Sequence, residues 1–173
     1  MTLIDFHPTG RIMSAARNLL QHMVDAEGSR LPDWDPPLKL DGKAGGCLCV
    51  TDHMGQVYLK AFIGKVPSEK LSKYWTLAEQ KATRLSDHIP YARHISSWQS
   101  RNPTNNHWGG AIKAPRHVYS FSGLPEMYDE AFMLLLATEL SELKVEDAAA
   151  IAAISSNPHW RQLAERYGAL ASN

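Results

Sequence analysis

The stretch CLCVTDHMGQVYLKAFI, residues 47–63, is the starting point for interpreting this chain. It contains two apolar runs, Cys47 to Thr51 and Gln56 to Ile63, that are partly β-branched or aromatic, as strands are. Asp52-His53-Met54-Gly55 lies between them, and Gly55 can supply the positive φ that a hairpin turn requires. The spacing therefore predicts a β-hairpin.

A second hairpin is predicted further along the chain. Two short apolar runs, Ala111 to Ala114 and His117 to Ser122, are separated by Pro115-Arg116, which favours a turn. The segment Ser29 to Gly46 carries three prolines and is predicted as a loop with room for one short edge strand. Together these segments predict an antiparallel sheet of four to five strands.

Apolar residues recur at helical spacing before, between and after the two hairpins. The first predicted helix has its apolar residues between Arg11 and Val24 and closes near Gly28. The other two run from Ser68 to Asp87 and from Pro125 to Leu143. The third is apolar over most of its circumference, which predicts burial on more than one side. The order α-ββ-α-ββ-α has connections too short for repeated βαβ crossovers, so we expect an α+β fold with helices flanking the sheet.

The C-terminal part of the chain predicts a helical extension from about residue 145. One helix spans Val145 to Ile154, and another has Asn157 as N-cap and Pro158 at its first position and ends at Gly168. The composition, 173 residues that are 44% hydrophobic and 21% charged, is typical of one soluble globular domain over residues 1–173.

The charge balance argues against nucleic-acid and membrane partners. With 18 Lys+Arg against 18 Asp+Glu the formal net charge is zero, whereas a basic excess supplies most of the affinity for nucleic acid or anionic lipid. The longest apolar runs, Ala131 to Ala137 and Ala148 to Ile154, are far shorter than the roughly 18 residues of a membrane span. We expect a cytoplasmic protein with neither kind of partner.

Common catalytic and nucleotide-binding motifs do not occur: the sequence has no G-x-S-x-G, no Walker loop and no G-x-G-x-x-G. Cys47 and Cys49 are two apart on one strand, which places their α-carbons near the upper distance limit for a disulfide. Their spacing to His53 does not match structural zinc sites. We therefore expect two buried apolar thiols and no metal.

The distribution of charge is the strongest functional signal. The 38 positions between Asp87 and Glu126 hold no acidic residue and sum to +4 before any histidine is protonated. Cationic donors beside flat apolar rings suit an anionic, partly aromatic small molecule. The cations are Arg93, Arg101, Lys113 and Arg116, and the rings are Tyr91, Trp98, Trp108 and Tyr119.

A simpler interpretation of the basic segment stays open. The segment that follows, Glu126 to Asp147, sums to −6, so the two can pair within the chain or across an oligomer interface. Gly109-Gly110 and Gly123 also have two interpretations, because a glycine permits close approach either by a ligand or by another part of the backbone.

Four stretches form an ordered set: Val50 to Val57, Ala78 to Thr83, Gly109 to Ile112 and Ser120 to Glu130. In order and spacing they resemble the GlcG/HbpS-like family, also called haem-degrading-like, over roughly residues 45–140. The resemblance implies an α+β fold with an antiparallel sheet flanked by helices, homo-oligomerisation, and in some members binding of haem or a related tetrapyrrole. The helices after Val145 extend beyond the family's usual end and can cover the surface through which subunits meet.

The resemblance and the basic segment together give the candidate ligand-binding residues. Each has a structural alternative: Lys81 can lie along its helix, the glycines can shape turns, and Asp129 can cap or pair locally. The family's recurring positions are matched by Lys81, Gly109, Gly110, Ser122, Gly123 and Asp129, and the basic segment adds Arg93, His107 and Arg116.

Three functions remain open from the sequence. The first is an oligomeric small-molecule-binding protein whose ligand is haem or another anionic planar compound. The second is an enzyme acting on a small carboxylate, with Lys81 or a histidine as acid or base. The third is a non-catalytic interaction module whose acidic and basic segments join subunits or a partner.

Overall fold

Both predicted hairpins are present and together form one antiparallel sheet. The computed structural model describes residues 8–28, 37–87, 89–91 and 93–167. Within these residues four strands are arranged in the order β2-β1-β4-β3, with every neighbouring pair antiparallel. The strands are β1 Ala44–Thr51, β2 Val57–Lys65, β3 Ala111–Lys113 and β4 Val118–Ser122.

The turn of the first hairpin is held by one aspartate. Asp52 Oδ1 accepts hydrogen bonds from the backbone N–H groups of Met54 (2.9 Å) and Gln56 (2.8 Å), and Gly55 has the predicted positive φ, +83°. Immediately beyond the turn the register shifts, because Thr51 pairs with Val57 while Val50 pairs with Leu59. Residue 58 is therefore the extra residue of a β-bulge on β2.

We expect Asp52→Ala to lower the free energy of unfolding by about 1–2 kcal/mol, because it removes the acceptor for two backbone donors in the turn. Urea unfolding measures the change. Asp25→Ala is the matched control, since Asp25 accepts an exposed side-chain hydrogen bond from Gln21 on the first helix and lies outside the turn. Equal losses in the two variants would contradict this role of Asp52.

Helices cover both faces of the sheet, as the sequence predicts. They are α1 Pro8–Gly28, α2 Leu71–Thr83, α3 Glu126–Glu139, α4 Val145–Ser155 and α5 Trp160–Arg166. Alternation along β1 explains the arrangement: Cys47 and Cys49 face α2, whereas Leu48 and Val50 belong to the core formed with α1 and α3. The last two helices pack on α3.

Several helix boundaries predicted from the sequence are wrong. The third helix ends at Glu139 rather than at Leu143. The last helix begins at Trp160 rather than after Asn157, whose Oδ1 accepts from the N–H of His159 (3.0 Å) in a turn that precedes the helix. The second helix ends at Thr83 rather than near Asp87, and a 3₁₀ turn, Ser68–Lys70, precedes it. A short edge strand is predicted within residues 29–46, but residues 37–43 are irregular and residues 29–36 lie outside the described residues. The predicted end of the last helix, Gly168, also lies outside them.

Cys47 and Cys49 are buried thiols, as predicted. Burial between β1 and α2 raises the pKa of Cys47 to about 11 and that of Cys49 to about 12. Both thiols therefore remain protonated near neutral pH and act as small apolar side chains. In the part of the chain that the structure describes, no helix has both the length and the apolar character to cross a bilayer.

Candidate functional site

The sheet has two distinct ends. At one end, Gly45 and Gly46 begin β1 next to Gly123, which follows β4, and Gly110 precedes β3. We call this the glycine end. At the other, the hairpin end, the two hairpin turns lie side by side because Thr51 pairs with Val118.

A buried ion pair lies at the glycine end. Lys81 on α2 and Asp129 on α3 approach from opposite faces of the sheet, and Lys81 Nζ donates to Asp129 Oδ2 (2.9 Å) and to the backbone carbonyl of Phe121 (2.8 Å). The N–H of Leu124 donates to Asp129 Oδ1 (2.9 Å). The two charged side chains are only 2% and 3% exposed, so solvent hardly reaches them.

Gly110 provides the space in which the pair meets. Its φ is +107°, and a Cβ at this position would lie 2.6 Å from Asp129 Cβ and 2.9 Å from Lys81 Nζ. The ion pair thus occupies the volume that any other residue would fill with its side chain. The sequence predicts Lys81, Gly110 and Asp129 as candidate site residues, and in the structure they are in contact.

Burial of the pair changes the pKa of its carboxyl group. Burial raises the pKa of Asp129 from its ordinary value of 3.8 to about 6, against the opposing effects of the Lys81 charge and of hydrogen bonds from Lys81 and Leu124. A carboxyl group with such a pKa changes protonation state in mildly acidic solution. The contribution of this ion pair to the free energy of unfolding therefore depends on pH.

At the neighbouring glycines, the space that a side chain would occupy is also taken up by other parts of the protein. A side chain at Gly109 would run into the indole of Trp98, and one at Gly123 would run into the backbone of Gly45 and Gly46. The carbonyl of Ser122 in turn lies against Gly46. Close approach of backbone and rings accounts for these glycines, and ligand contact at Gly109, Ser122 and Gly123 stays a prediction.

Next to the glycine end, an arginine is held between two tryptophans. The guanidinium carbon of Arg101 lies 4.7 Å from the ring centroid of Trp98 and 5.7 Å from that of Trp108. Arg101 donates to both oxygens of Glu126 (2.8 and 3.0 Å), and the N–H of Gly109 donates to the same carboxylate. We call Trp98, Arg101 and Trp108 the Trp-Arg cluster; its arginine side chain is 36% exposed.

Trp98, Arg101 and Trp108 lie in the irregular connection between α2 and β3. A capped 3₁₀ turn and one buried arginine hold this connection in place. Ser96 caps the 3₁₀ turn Ser97–Ser100, in which Trp98 lies. Arg84, at the end of α2, donates to the carbonyls of Ser100 and Trp108 and so joins the two arms of the connection. Burial lowers the pKa of Arg84 to about 10. Sequence reasoning missed Arg84, because its partners are backbone carbonyls that no motif marks.

A second residue missed by sequence reasoning is Glu130. Its buried carboxylate accepts hydrogen bonds from Ser96 Oγ (2.7 Å), Ser155 Oγ and Asn157 Nδ2 (2.9 Å). Burial raises its pKa, and these hydrogen bonds oppose the rise. Glu130 thereby connects the turn that carries Trp98 with the end of α4.

Other predicted ligand-binding residues lie outside the cluster. Arg93 is exposed in the connection, and Arg116 is exposed in the β3–β4 turn at the hairpin end. His107 is half-buried and forms a backbone bridge with Asn102, directly before Trp108. Lys113 forms an ion pair with Asp87.

The pairing of basic and acidic segments within the chain, the simpler interpretation of the charge distribution, is confirmed at two contacts. Arg101 bonds to Glu126, and His117 Nδ1 lies 2.9 Å from Glu142 Oε2. Among the described residues, no group of three His, Cys, Asp or Glu side chains is placed to hold a metal ion. Comparison of the chain with protein-family models, with curated proteins and with solved structures finds no match.

Proposed function

We propose that this chain is a small-molecule-binding protein whose ligand is an anion with a flat ring system. The Trp-Arg cluster is the proposed recognition surface. The observation that carries the proposal is the position of Arg101, with its guanidinium against two indoles and one third of its side chain exposed. The cluster combines, in one place, the cation and the flat rings that the sequence predicts as separate features.

The geometry suits recognition of a carboxylate. Glu126 holds Arg101 through two hydrogen bonds, so little conformational entropy is lost when the arginine binds a second group. The guanidinium keeps N–H donors that Glu126 does not use, and these can bond to an anionic group of the ligand. The indoles offer apolar faces against which a flat ring can pack.

Haem is the first ligand to test, because it joins a flat macrocycle to two carboxylates and because the resemblance to the GlcG/HbpS-like family implies it. His107, directly before Trp108, stays a predicted contact. The homo-oligomer that the resemblance implies also stays a prediction. Native mass spectrometry of freshly purified protein reports the number of subunits and any co-purified compound in one measurement.

We expect haem to bind saturably and Arg101→Ala to weaken binding by about tenfold or more, the loss expected for one charge-assisted contact. Titration of haem followed by its absorbance spectrum measures both. Arg161→Ala is the matched control, because Arg161 is also paired with a glutamate, Glu165, but lies on α5 with an exposed side chain. We expect the control to bind as the wild type does.

Two results would overturn the proposal. One is the absence of a saturable spectral change with haem combined with the absence of a co-purified planar anion in native mass spectra. The other is equal affinity of Arg101→Ala and Arg161→Ala for the bound compound. Circular dichroism of both variants shows whether the fold is retained.

A further inference from the structure

At the hairpin end, a histidine is oriented by a carboxylate. His117 Nδ1 lies 2.9 and 3.1 Å from the two oxygens of Glu142, and the side chains are 22% and 12% exposed. Both carboxylate oxygens face Nδ1, which in the neutral ring favours the tautomer with its hydrogen on Nδ1 and its lone pair on Nε2. Among the described residues, none forms a hydrogen bond with Nε2, and the side chain is partly exposed.

A buried phenol lies beside the same carboxylate. Tyr119 is fully buried, and its ring contacts the ring of His117 with the centroids 6.2 Å apart. Burial raises the pKa of Tyr119, and the carboxylate of Glu142 raises it further through its charge and through hydrogen bonding. Glu142 therefore faces both His117 and Tyr119.

The β-bulge on β2 places the ring of Tyr58 beside His117. Regular alternation would put Tyr58 on the α2 face with Phe62. Instead, the bulge turns its ring toward His117, and the ring centroids are 5.2 Å apart. Bulges of this kind recur beside functional sites, where they redirect a side chain.

The adjacent residue, Arg116, provides a cation. It is exposed in the turn before His117, and its charge opposes the rise in the pKa of Tyr119, which places Arg116 within electrostatic range of Tyr119, whose ring contacts His117. The hairpin end therefore holds a base, a carboxylate that orients it, a ring surface and a group that can bind a carboxylate. These groups can bind a small carboxylate and take a proton from it.

We infer that His117, Glu142, Tyr58 and Arg116 form a proton-transfer site for small 2-oxo carboxylates. Arg116 binds the substrate carboxylate. Nε2 of His117 takes a proton from the carbon next to the keto group, and the electron pair of that C–H bond moves toward the keto oxygen to give the enolate. The imidazolium then returns a proton to the carbon, so no other reactant is needed.

An imidazole removes a proton from carbon only where an adjacent group accepts the electron pair, and the keto group is the one that this proposal names. The requirement for a carboxylate follows from Arg116. This site lies at the opposite end of the sheet from the Trp-Arg cluster, so its test is independent of haem binding.

The experiment follows 2-oxobutyrate in deuterated water by proton NMR. We expect the wild-type protein to exchange the protons next to the keto group, and His117→Gln to lower the protein-dependent rate by about 100-fold or more. Glu142→Gln changes the group that orients His117 and removes no predicted contact with the substrate, so we expect it to lower the rate at saturation and leave the half-saturating concentration unchanged. Arg116→Ala is expected to raise the half-saturating concentration. His22→Gln, on α1, is the control and should exchange as the wild type does.

Exchange by the wild type no faster than in buffer alone would overturn the inference. So would equal rates for His117→Gln and His22→Gln in folded protein. If His117→Gln does not fold, Arg116→Ala is the variant that tests the inference, because Arg116 is exposed and its replacement has little effect on stability. Unchanged exchange kinetics in Arg116→Ala would also overturn the inference. Restoration of exchange in His117→Ala by added imidazole would support the base role directly.

Discussion

Replacing Lys81 with methionine is expected to lower the free energy of unfolding by about 3–5 kcal/mol at about pH 8. Methionine has a similar length and helix propensity, so the substitution mainly removes the charge. Asp129 would then be a buried carboxylate whose remaining hydrogen-bond donor is the N–H of Leu124. An uncompensated charge in this position is far more costly than the loss of an exposed pair.

The loss should depend on pH in a defined direction. The pKa of Asp129 is raised from 3.8 to about 6, so the folded chain binds this proton more tightly than the unfolded chain does. The corresponding stability is fully present below about pH 4 and is lost as the pH rises through about 6. Without Lys81 the pKa of Asp129 rises further, so the deficit of Lys81→Met should be small at about pH 5 and full at about pH 8.

Urea unfolding at the two pH values measures these changes. Lys60→Met is the control, because Lys60 pairs with Glu79, which is half exposed and stays hydrated when its partner is removed. We expect a loss of about 1 kcal/mol or less in the control, with little dependence on pH. A Lys81→Met variant that behaves like the control at about pH 8 would show that the ion pair does not stabilise the fold as described.

Gly110→Ala is expected to lower the free energy of unfolding by about 2–5 kcal/mol, the combined effect of backbone strain and overpacking. The positive φ of +107° disfavours any side chain, and the added methyl group would push Asp129 and Lys81 apart. The substitution therefore tests whether the backbone at residue 110 and the ion pair are coupled.

Gly42→Ala separates strain from overpacking. Gly42 also has a positive φ, +71°, but a Cβ there would meet nothing within 4 Å. We expect a loss of about 1–2 kcal/mol from strain alone. Thermal and urea unfolding of both variants give the difference, and equal losses would mean that the space beside Gly110 is not limiting.

The sheet and most helices could be predicted from sequence, because turn residues and periodicity are local signals. Gly55 and Pro115-Arg116 mark the two hairpin turns, and the apolar face of α1 is buried at the spacing the sequence shows. The sequence predicts the start of the last helix too early: Asn157 Oδ1 accepts from the N–H of His159 in a turn, and the helix begins only at Trp160. Asn157 Nδ2 donates to the carbonyl of Met127 and to Glu130, contacts that no local pattern marks.

The candidate site could be predicted only in part. Lys81, Gly110 and Asp129 were selected from the sequence, but their mutual contact depends on how α2 and α3 meet across the sheet. The run of basic residues likewise says nothing about which cations are paired. Arg101 is bonded to Glu126, whereas Arg116 stands exposed at the other end of the sheet.

The shared carboxylate of Glu130 changes how the C-terminal helices should be regarded. Ser155 bonds to Glu130 through its hydroxyl, and its carbonyl accepts from the indole N–H of Trp98 (3.4 Å). The helices beyond residue 145 are thus a supporting wall for the tryptophan rather than an appendage. Substitutions in the helices beyond residue 145 would therefore change the position of Trp98 in the Trp-Arg cluster without changing the sheet.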